Sequence, residues 1–236
     1  MPLMSERELF AQVPGRLGID IWSDVVCPFC YLGDTILDQA LGRFPHADSI
    51  DIAYHSFLLM PDLSDTPVDL AELLSSRHGM SRDQAVAMND SLAARGRELG
   101  LDYRFDLAQA VSTRSAHQLS HFAAQHGKQH AMVRRLFRAY FTEGLNVADH
   151  GVLAGLAAEV GLDPSAAQSA LASEAYAAEV DTDIQYAGQL GITGVPFFVF
   201  GGKYAISGAQ PVEAFVQTLD TAWAEIVEGA VPDPAR

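Results

Sequence analysis

The stretch Leu17-Gly18-Ile19-Asp20-Ile21-Trp22-Ser23-Asp24-Val25-Val26-Cys27-Pro28-Phe29-Cys30-Tyr31-Leu32-Gly33 changes period in its middle. Leu17, Ile19 and Ile21 alternate with Gly18, Asp20 and Trp22, and Val25 and Val26 follow. This reads as a strand that becomes fully buried toward its end. From Pro28 onward Leu32, Ile36, Leu37, Ala40 and Leu41 recur at helical spacing, with a proline that a first helical turn tolerates. Cys27 and Cys30 are the only cysteines of the chain, and they fall where strand yields to helix. A helix N-terminus carries partial positive charge and unpaired N–H groups, which favour a thiolate over a thiol. Only the thiolate attacks a disulfide, and a second thiol three residues on can resolve the mixed disulfide within one turn. Cys27 is the candidate nucleophile and Cys30 the candidate resolving thiol. The competing reading, two buried structural cysteines, does not account for that position.

Outward from this stretch, Ile50, Ile52 and Tyr54 alternate again and predict a second strand. Strand, helix and strand within about 40 residues is the size of a βαβ unit. A proline-bearing break from Pro61 to Pro67 follows, and beyond it only helical signals. Ser81 with Gln84 resembles a capping box whose helix ends near Gly100. Further apolar stripes run through His117 to Ala123, Val133 to Tyr140 and Val152 to Val160, and a helix is expected over Ala175 to Leu190. β character returns at Pro196-Phe197-Phe198-Val199-Phe200, turns at Gly201-Gly202 and comes back through Tyr204 to Ile206. Pro211 opens a last helix with Val212, Phe215, Val216, Leu219 and Trp223 on one face. The order βαβ, helices, ββα is that of an α/β sheet with an all-helical domain inserted between its halves. The expected division is an N-terminal extension over 1–16, a sheet domain over 17–62 and 175–228, an insertion over 63–174 and a tail over 229–236.

The 236 residues are 49 % hydrophobic, enough for a sizeable core. The formal charge of −15 argues against nucleic acid and anionic membrane as main partners. No apolar run approaches the roughly 20 residues of a membrane span. Met1 to Arg16 lacks a basic start followed by an apolar core, so no secretory signal is read and the cytoplasm is the expected address. A structural disulfide is not expected there, which leaves a redox or metal role for the pair. Zinc would want two more soft ligands, and no further cysteine exists.

Pro196 follows Thr193-Gly194-Val195 at a strand start, where a residue without an N–H fits. It is either an ordinary trans proline or a cis bond that sets Val195 backbone groups beside the thiols. Asp24 lies three residues before Cys27, as a proton relay or as a surface residue ending the strand. Phe29 packs either on substrate or on the protein. His117 and His121, and His126 and His130, are helical pairs that fit a metal or a polar face. No metal site and no organic cofactor are expected.

The segment Ser23 to Gly33 resembles the active-site segment of the DsbA-like thioredoxin superfamily, in its FrnE-like branch. Gly191-Ile192-Thr193-Gly194-Val195-Pro196-Phe197-Phe198-Val199-Phe200 is similar to that branch's cis-proline segment, and Phe141-Thr142-Glu143-Gly144 and Ser207-Gly208-Ala209-Gln210-Pro211 match it too. The resemblance runs from about Leu17 to Trp223. It implies a thioredoxin-like fold with a helical insertion, a cis Pro196 facing Cys27, and thiol–disulfide exchange. Cys27, Cys30 and Pro196 are then the catalytic set, with Asp24, Pro28, Phe29 and Val195 supporting or binding substrate. Protein disulfides or thiols are the implied partners, with glutathione as a candidate reductant, in a monomer or a homodimer. Three places depart from the branch. Phe29 stands where it usually has Trp, Phe57-Leu58-Leu59-Met60-Pro61 where it often reads Phe-Glu-Leu-Asn-Pro, and Ser112 where Asn is common. Substrate choice is expected to lie near Leu58, Met60 and Ser112. Two other functional classes compete with this one. A glutathione-dependent isomerase or transferase, of the kappa glutathione transferase and hydroxychromene-carboxylate isomerase type, shares the architecture but typically has serine at the position of Cys27. A holdase would use the helical block as an apolar surface.

Overall fold

The computed structural model describes residues 13–230. The expected extension over 1–16 and tail over 229–236 lie largely outside them. The first strand, β1 (Leu17–Ser23), is followed by helix α1 (Pro28–Leu41) and strand β2 (Ile50–Ser56). β1 and β2 run parallel, from Leu17 opposite Ile50 to Ser23 opposite Ser56. Strand β5 (Phe197–Phe200) lies antiparallel on the other side of β1, with Ile19 opposite Phe200. Strand β6 (Tyr204–Ser207) completes the sheet order β2-β1-β5-β6. Gly201 and Gly202 both take positive φ, 60° and 67°, in the connection between β5 and β6. Glycine occupies that conformation without a β-carbon clash.

Successive strand side chains point to opposite faces, and β1 uses both. Leu17, Ile19 and Ile21, with Phe198 and Phe200, join the core under α1 and the last helix, α9 (Val212–Ala230). Phe198 meets Phe215 of α9 edge to face at 4.9 Å. Trp22 and Val199 point the other way, into a second cluster with Tyr186 and Ala187 of helix α8 (Ala177–Gln189). Burying both faces of a strand explains why its hydrophobic run is nearly continuous at the end. The expected continuation through Val25 and Val26 is corrected: pairing stops at Ser23. The Cys27 N–H donates to the Asp24 carbonyl at 3.0 Å, so the two valines are buried in a turn instead.

Between β2 and β5 lies the helical insertion. Its segments are strand β3 (Val68–Asp69), helix α2 (Leu70–His78), helix α3 (Arg82–Glu98), strand β4 (Gln109–Ala110), helix α4 (Arg114–Ala124), helix α5 (Gln129–Phe141), helix α6 (His150–Glu159) and helix α7 (Pro164–Ala172). The capping box at Ser81 and Gln84 forms as its spacing predicts. The two-residue ladder of β3 with β4 went unannounced, because two residues carry no period. α7 was also missed, although Asp163 caps it and Pro164 opens it. Tyr31 of α1 stacks on Phe137 of α5 at 5.2 Å, which ties the insertion to the helix that carries the thiols. No helix among the described residues is long and apolar enough to cross a membrane.

Candidate active site

Cys27 is the N-cap of α1, with extended φ and ψ of −87° and 110°, and Pro28 sits in the first turn. Proline suits that turn because its missing N–H would have had no helical partner. The Cys30 N–H donates back to the Cys27 carbonyl at 3.0 Å, so the helical turn itself sets the thiols on one side. Both are reduced. Cys27 Sγ donates to the Val195 carbonyl at 3.4 Å, and the Val195–Pro196 peptide is cis. The trans alternative for Pro196 is thereby corrected. Gly208 holds this segment from behind, its N–H donating to the Pro196 carbonyl at 2.8 Å.

Gly33 is what lets α1 come this close. A β-carbon there would stand 3.0 Å from Pro196 Cγ and 3.1 Å from Phe198 Cζ. Phe198 is fully buried and cannot retreat. Gly33→Ala is therefore expected to destabilise the fold by about 1–3 kcal/mol through overpacking, although alanine is the better helix former by ~1 kcal/mol. The denaturant midpoint measures it; a rise in stability would contradict the packing argument.

The two thiols occupy different surroundings. Cys30 is 1 % exposed. Burial pushes its thiol well above the ordinary value, and the hydrogen bond to Cys27 and that neighbour's charge add to it. A hydrogen bond from Ser23 and the Asp24 backbone oppose the shift. Cys27, though little exposed, lines a cavity of about 700 Å³. Its walls come from the α1 N-terminus (Phe29), the loop after β2 (Leu59, Met60), α2 (Leu74), α3 (Leu92, Arg95) and Phe105. Tyr103 braces the thiol end, donating its hydroxyl to the Pro28 carbonyl at 2.6 Å. Phe29 is 45 % exposed and lines the cavity, so it does not pack into the protein. Met60 lines it as well. Leu58 and Ser112 are not among its lining residues; Ser112 N–H donates to the Ser64 carbonyl at 3.0 Å and so pins a loop.

Asp24 is 1 % exposed, which corrects the surface alternative. Its Oδ2 accepts from the Leu59 N–H at 2.8 Å, and Oδ1 lies 3.4 Å from His117 Nε2. The carboxylate thus holds the loop that carries Leu59 into the cavity wall. The histidine pairs do not converge. His121 Nε2 bonds Asp183 Oδ2 at 2.9 Å, His126 Nδ1 bonds the Phe122 carbonyl at 2.8 Å, and His130 Nε2 lies 3.4 Å from Asp38.

Behind the sheet, a polar cluster escaped the sequence reading. His55 is clasped between Asp20 (Nε2 to Oδ1, 2.9 Å) and Asp183 (Nδ1 to Oδ1, 2.9 Å) and stacks on Trp22 at 4.5 Å. Burial pushes the His55 imidazole down, but hydrogen bonds to Asp183 and Asp20 outweigh it and lift it to about 9. Burial also pushes the Asp183 carboxyl up, and the bonds from His121 and His55 overcome this and hold it well below the usual carboxylate range. Asp20 gave little signal in the sequence, since a polar residue between Ile19 and Ile21 reads as an outward-facing strand position.

Residues 18–220 match the model of the DSBA-like thioredoxin domain. The chain belongs to that family. Individual proteins are similar to the chain as well. A probable DsbA oxidoreductase from Streptomyces coelicolor is 39 % identical, with a TM-score of 0.84 over 89 % of this chain and 91 % of its own. YwbO of Bacillus subtilis (strain 168), an uncharacterised protein, is 28 % identical over 85 % of this chain and 94 % of its own length. A 2-hydroxychromene-2-carboxylate isomerase shares the fold at 19 % identity, with a TM-score of 0.63 over 90 % of this chain and 97 % of its own. One architecture therefore occurs in proteins of different activity, and the fold by itself does not name a chemistry.

Proposed function

We propose that this member of the DSBA-like family is a thiol–disulfide oxidoreductase that works through the Cys27-Pro28-Phe29-Cys30 pair. One observation carries the reading: Cys27 stands at the N-cap position of a helix on the wall of a largely apolar cavity, and Cys30 lies one turn behind it, sealed from solvent. In the reducing direction the Cys27 thiolate attacks one sulfur of a substrate disulfide. The substrate S–S bond breaks, a Cys27–substrate disulfide forms, and the other substrate sulfur leaves and takes a proton. Cys30, losing its own proton, then attacks Cys27 Sγ and releases the second substrate sulfur. Two electrons pass to the substrate, and Cys27–Cys30 is left as the disulfide. The reverse sequence oxidises a dithiol. The elevated affinity of Cys30 for its proton keeps it a thiol until the mixed disulfide has formed.

Pro196 completes the catalytic set in this reading, and Val195, whose carbonyl meets Cys27 Sγ, offers backbone to a substrate strand. Pro28 and Phe29 shape the approach to the thiol, and Asp24 supports the wall. The insertion over 63–174 supplies most of the remaining wall, and the sheet domain supplies the chemistry. The cytoplasm is the proposed setting and glutathione a proposed reductant. The isomerase or transferase reading needs a hydroxyl that holds glutathione by hydrogen bonding. A cysteine backed by a second cysteine would instead be drawn into mixed disulfides, which favours redox work.

Equilibration with glutathione buffers of stepped ratio tests the proposal. Cys27 and Cys30 are expected to interconvert between dithiol and disulfide in one cooperative two-electron step. A pair that stays reduced in excess oxidised glutathione would contradict it.

A further inference from the structure

We propose that Arg95 makes the thiol cavity selective for polypeptide disulfides that carry a carboxylate next to an apolar side chain. This deepens the redox reading above and rests on it. The chain has 30 acidic residues against 15 lysines and arginines. Yet among the described residues no aspartate or glutamate lines the cavity that contains Cys27, while Arg77 and Arg95 do. Arg77 is already neutralised by Asp62 at 2.6 Å. Arg95 is not: among the described residues no carboxylate pairs with it, and its hydrogen bond runs from Nη2 to the Ala209 carbonyl at 2.8 Å. A guanidinium presents five donors in a planar fork, so four remain for an incoming acceptor.

The place of that charge is fixed at both ends. Arg95 sits on α3, and Ala209 follows Gly208, the residue bonded to the Pro196 carbonyl. The contact therefore ties the insertion to the loop beside the cis-proline, with the guanidinium on the wall of the same cavity as the thiol. In an acidic molecule, a cation with no counter-ion among the described residues attracts an anionic group to the reactive end, and none of the described lining residues is a carboxylate that would partner a cationic substrate.

The apolar part of the wall says what carries the carboxylate. Phe29, Leu59 and Met88 are three of the protein's exposed large apolar side chains, and all three line this cavity. Exposed apolar surface gathered around one reactive group marks a partner site. A small polar thiol would leave Leu74, Leu92 and Phe105 in water. A peptide with an apolar side chain beside its cystine would cover them and still reach Arg95.

The test uses full-length protein in the dithiol form and a matched set of disulfide-linked peptide dimers. Each has leucine beside cysteine and Glu, Gln or Lys two positions on; oxidised glutathione is a further substrate. Single-turnover rates at low salt are expected to favour Glu over Lys by about tenfold, the scale of one charge-assisted hydrogen bond. Arg95→Gln should remove the preference and Arg95→Glu invert it. A merely structural loss of the Ala209 contact would slow every peptide alike and leave the order unchanged, which would overturn the proposal. Equal rates for all three peptides with wild-type protein would also overturn it. If oxidised glutathione reacts as fast as the Glu peptide and loses as much in Arg95→Gln, the polypeptide assignment fails. Peptides that are all inert, charged or not, would sink the redox reading itself.

Discussion

Cys27→Ser is expected to abolish turnover, lowering the rate of disulfide reduction by at least about 1000-fold, to the uncatalysed level. The first bond formed in the proposed cycle is sulfur to sulfur, and a serine hydroxyl is neither ionised nor able to form it. The fold should survive the change. The Cys27 side chain meets the Val195 carbonyl and the Cys30 thiol, and a serine hydroxyl can meet both. The unfolding midpoint is expected to move by less than about 1 kcal/mol, so lost activity with retained stability would be chemical in origin. Both are read on one preparation, by the rate of reduction of a protein disulfide and by denaturant melting. Full activity in this variant would remove Cys27 from the mechanism.

Asp183→Asn is expected to produce the largest loss of stability, about 3–5 kcal/mol, the scale of breaking a buried charge pair by removing one partner. For a chain of this size that lowers the melting temperature by on the order of 10 °C. Asp183 accepts from His55, from His121 and from the Ser56 N–H at 2.7 Å, so its charge joins α8 to β2 and α4 at once. Without it, His55 loses one of two carboxylates. The pH dependence has two limbs. His55 is raised from 6.5 to about 9, so its contribution is fully present below about 6.5 and is lost as pH rises through about 9. Asp183 is lowered from 3.8, so its contribution is present above that value and is lost as pH falls below it. The difference in stability between wild type and Asp183→Asn should therefore be greatest from about pH 4 to 6.5 and shrink on both sides. A difference that stays flat with pH would show that the cluster is not charged as described.

The sheet and the thiols were legible because each rests on a local signal. The change of period at Cys27, the Gly201-Gly202 turn and the Ser81 capping box can be read from neighbours in the chain. The cis Val195–Pro196 bond was not local evidence. It became an expectation only through the resemblance, since the residues alone favour trans. What stayed hidden depends on distant pairs. Asp20, His55 and Asp183 lie far apart in the chain, and each alone reads as a solvated residue; folding makes them a single buried cluster. Arg95 reads as one more charge on a polar helix until α3 is placed over the thiols. Ser112 is the opposite case: it departs from the family pattern, yet its N–H pins a loop and it does not line the cavity. A departure from a family pattern marks a change without saying which contact it touches.

Trapping with Cys30→Ser tests the central claim most directly. In this variant the first attack proceeds and the resolving step does not, so the intermediate should accumulate. Incubation with a protein disulfide, acid quenching and mass spectrometry should find the substrate joined to Cys27 through one reducible bond. An unmodified Cys27 at times when wild type has turned over, or an adduct that dithiothreitol does not release, would contradict the account.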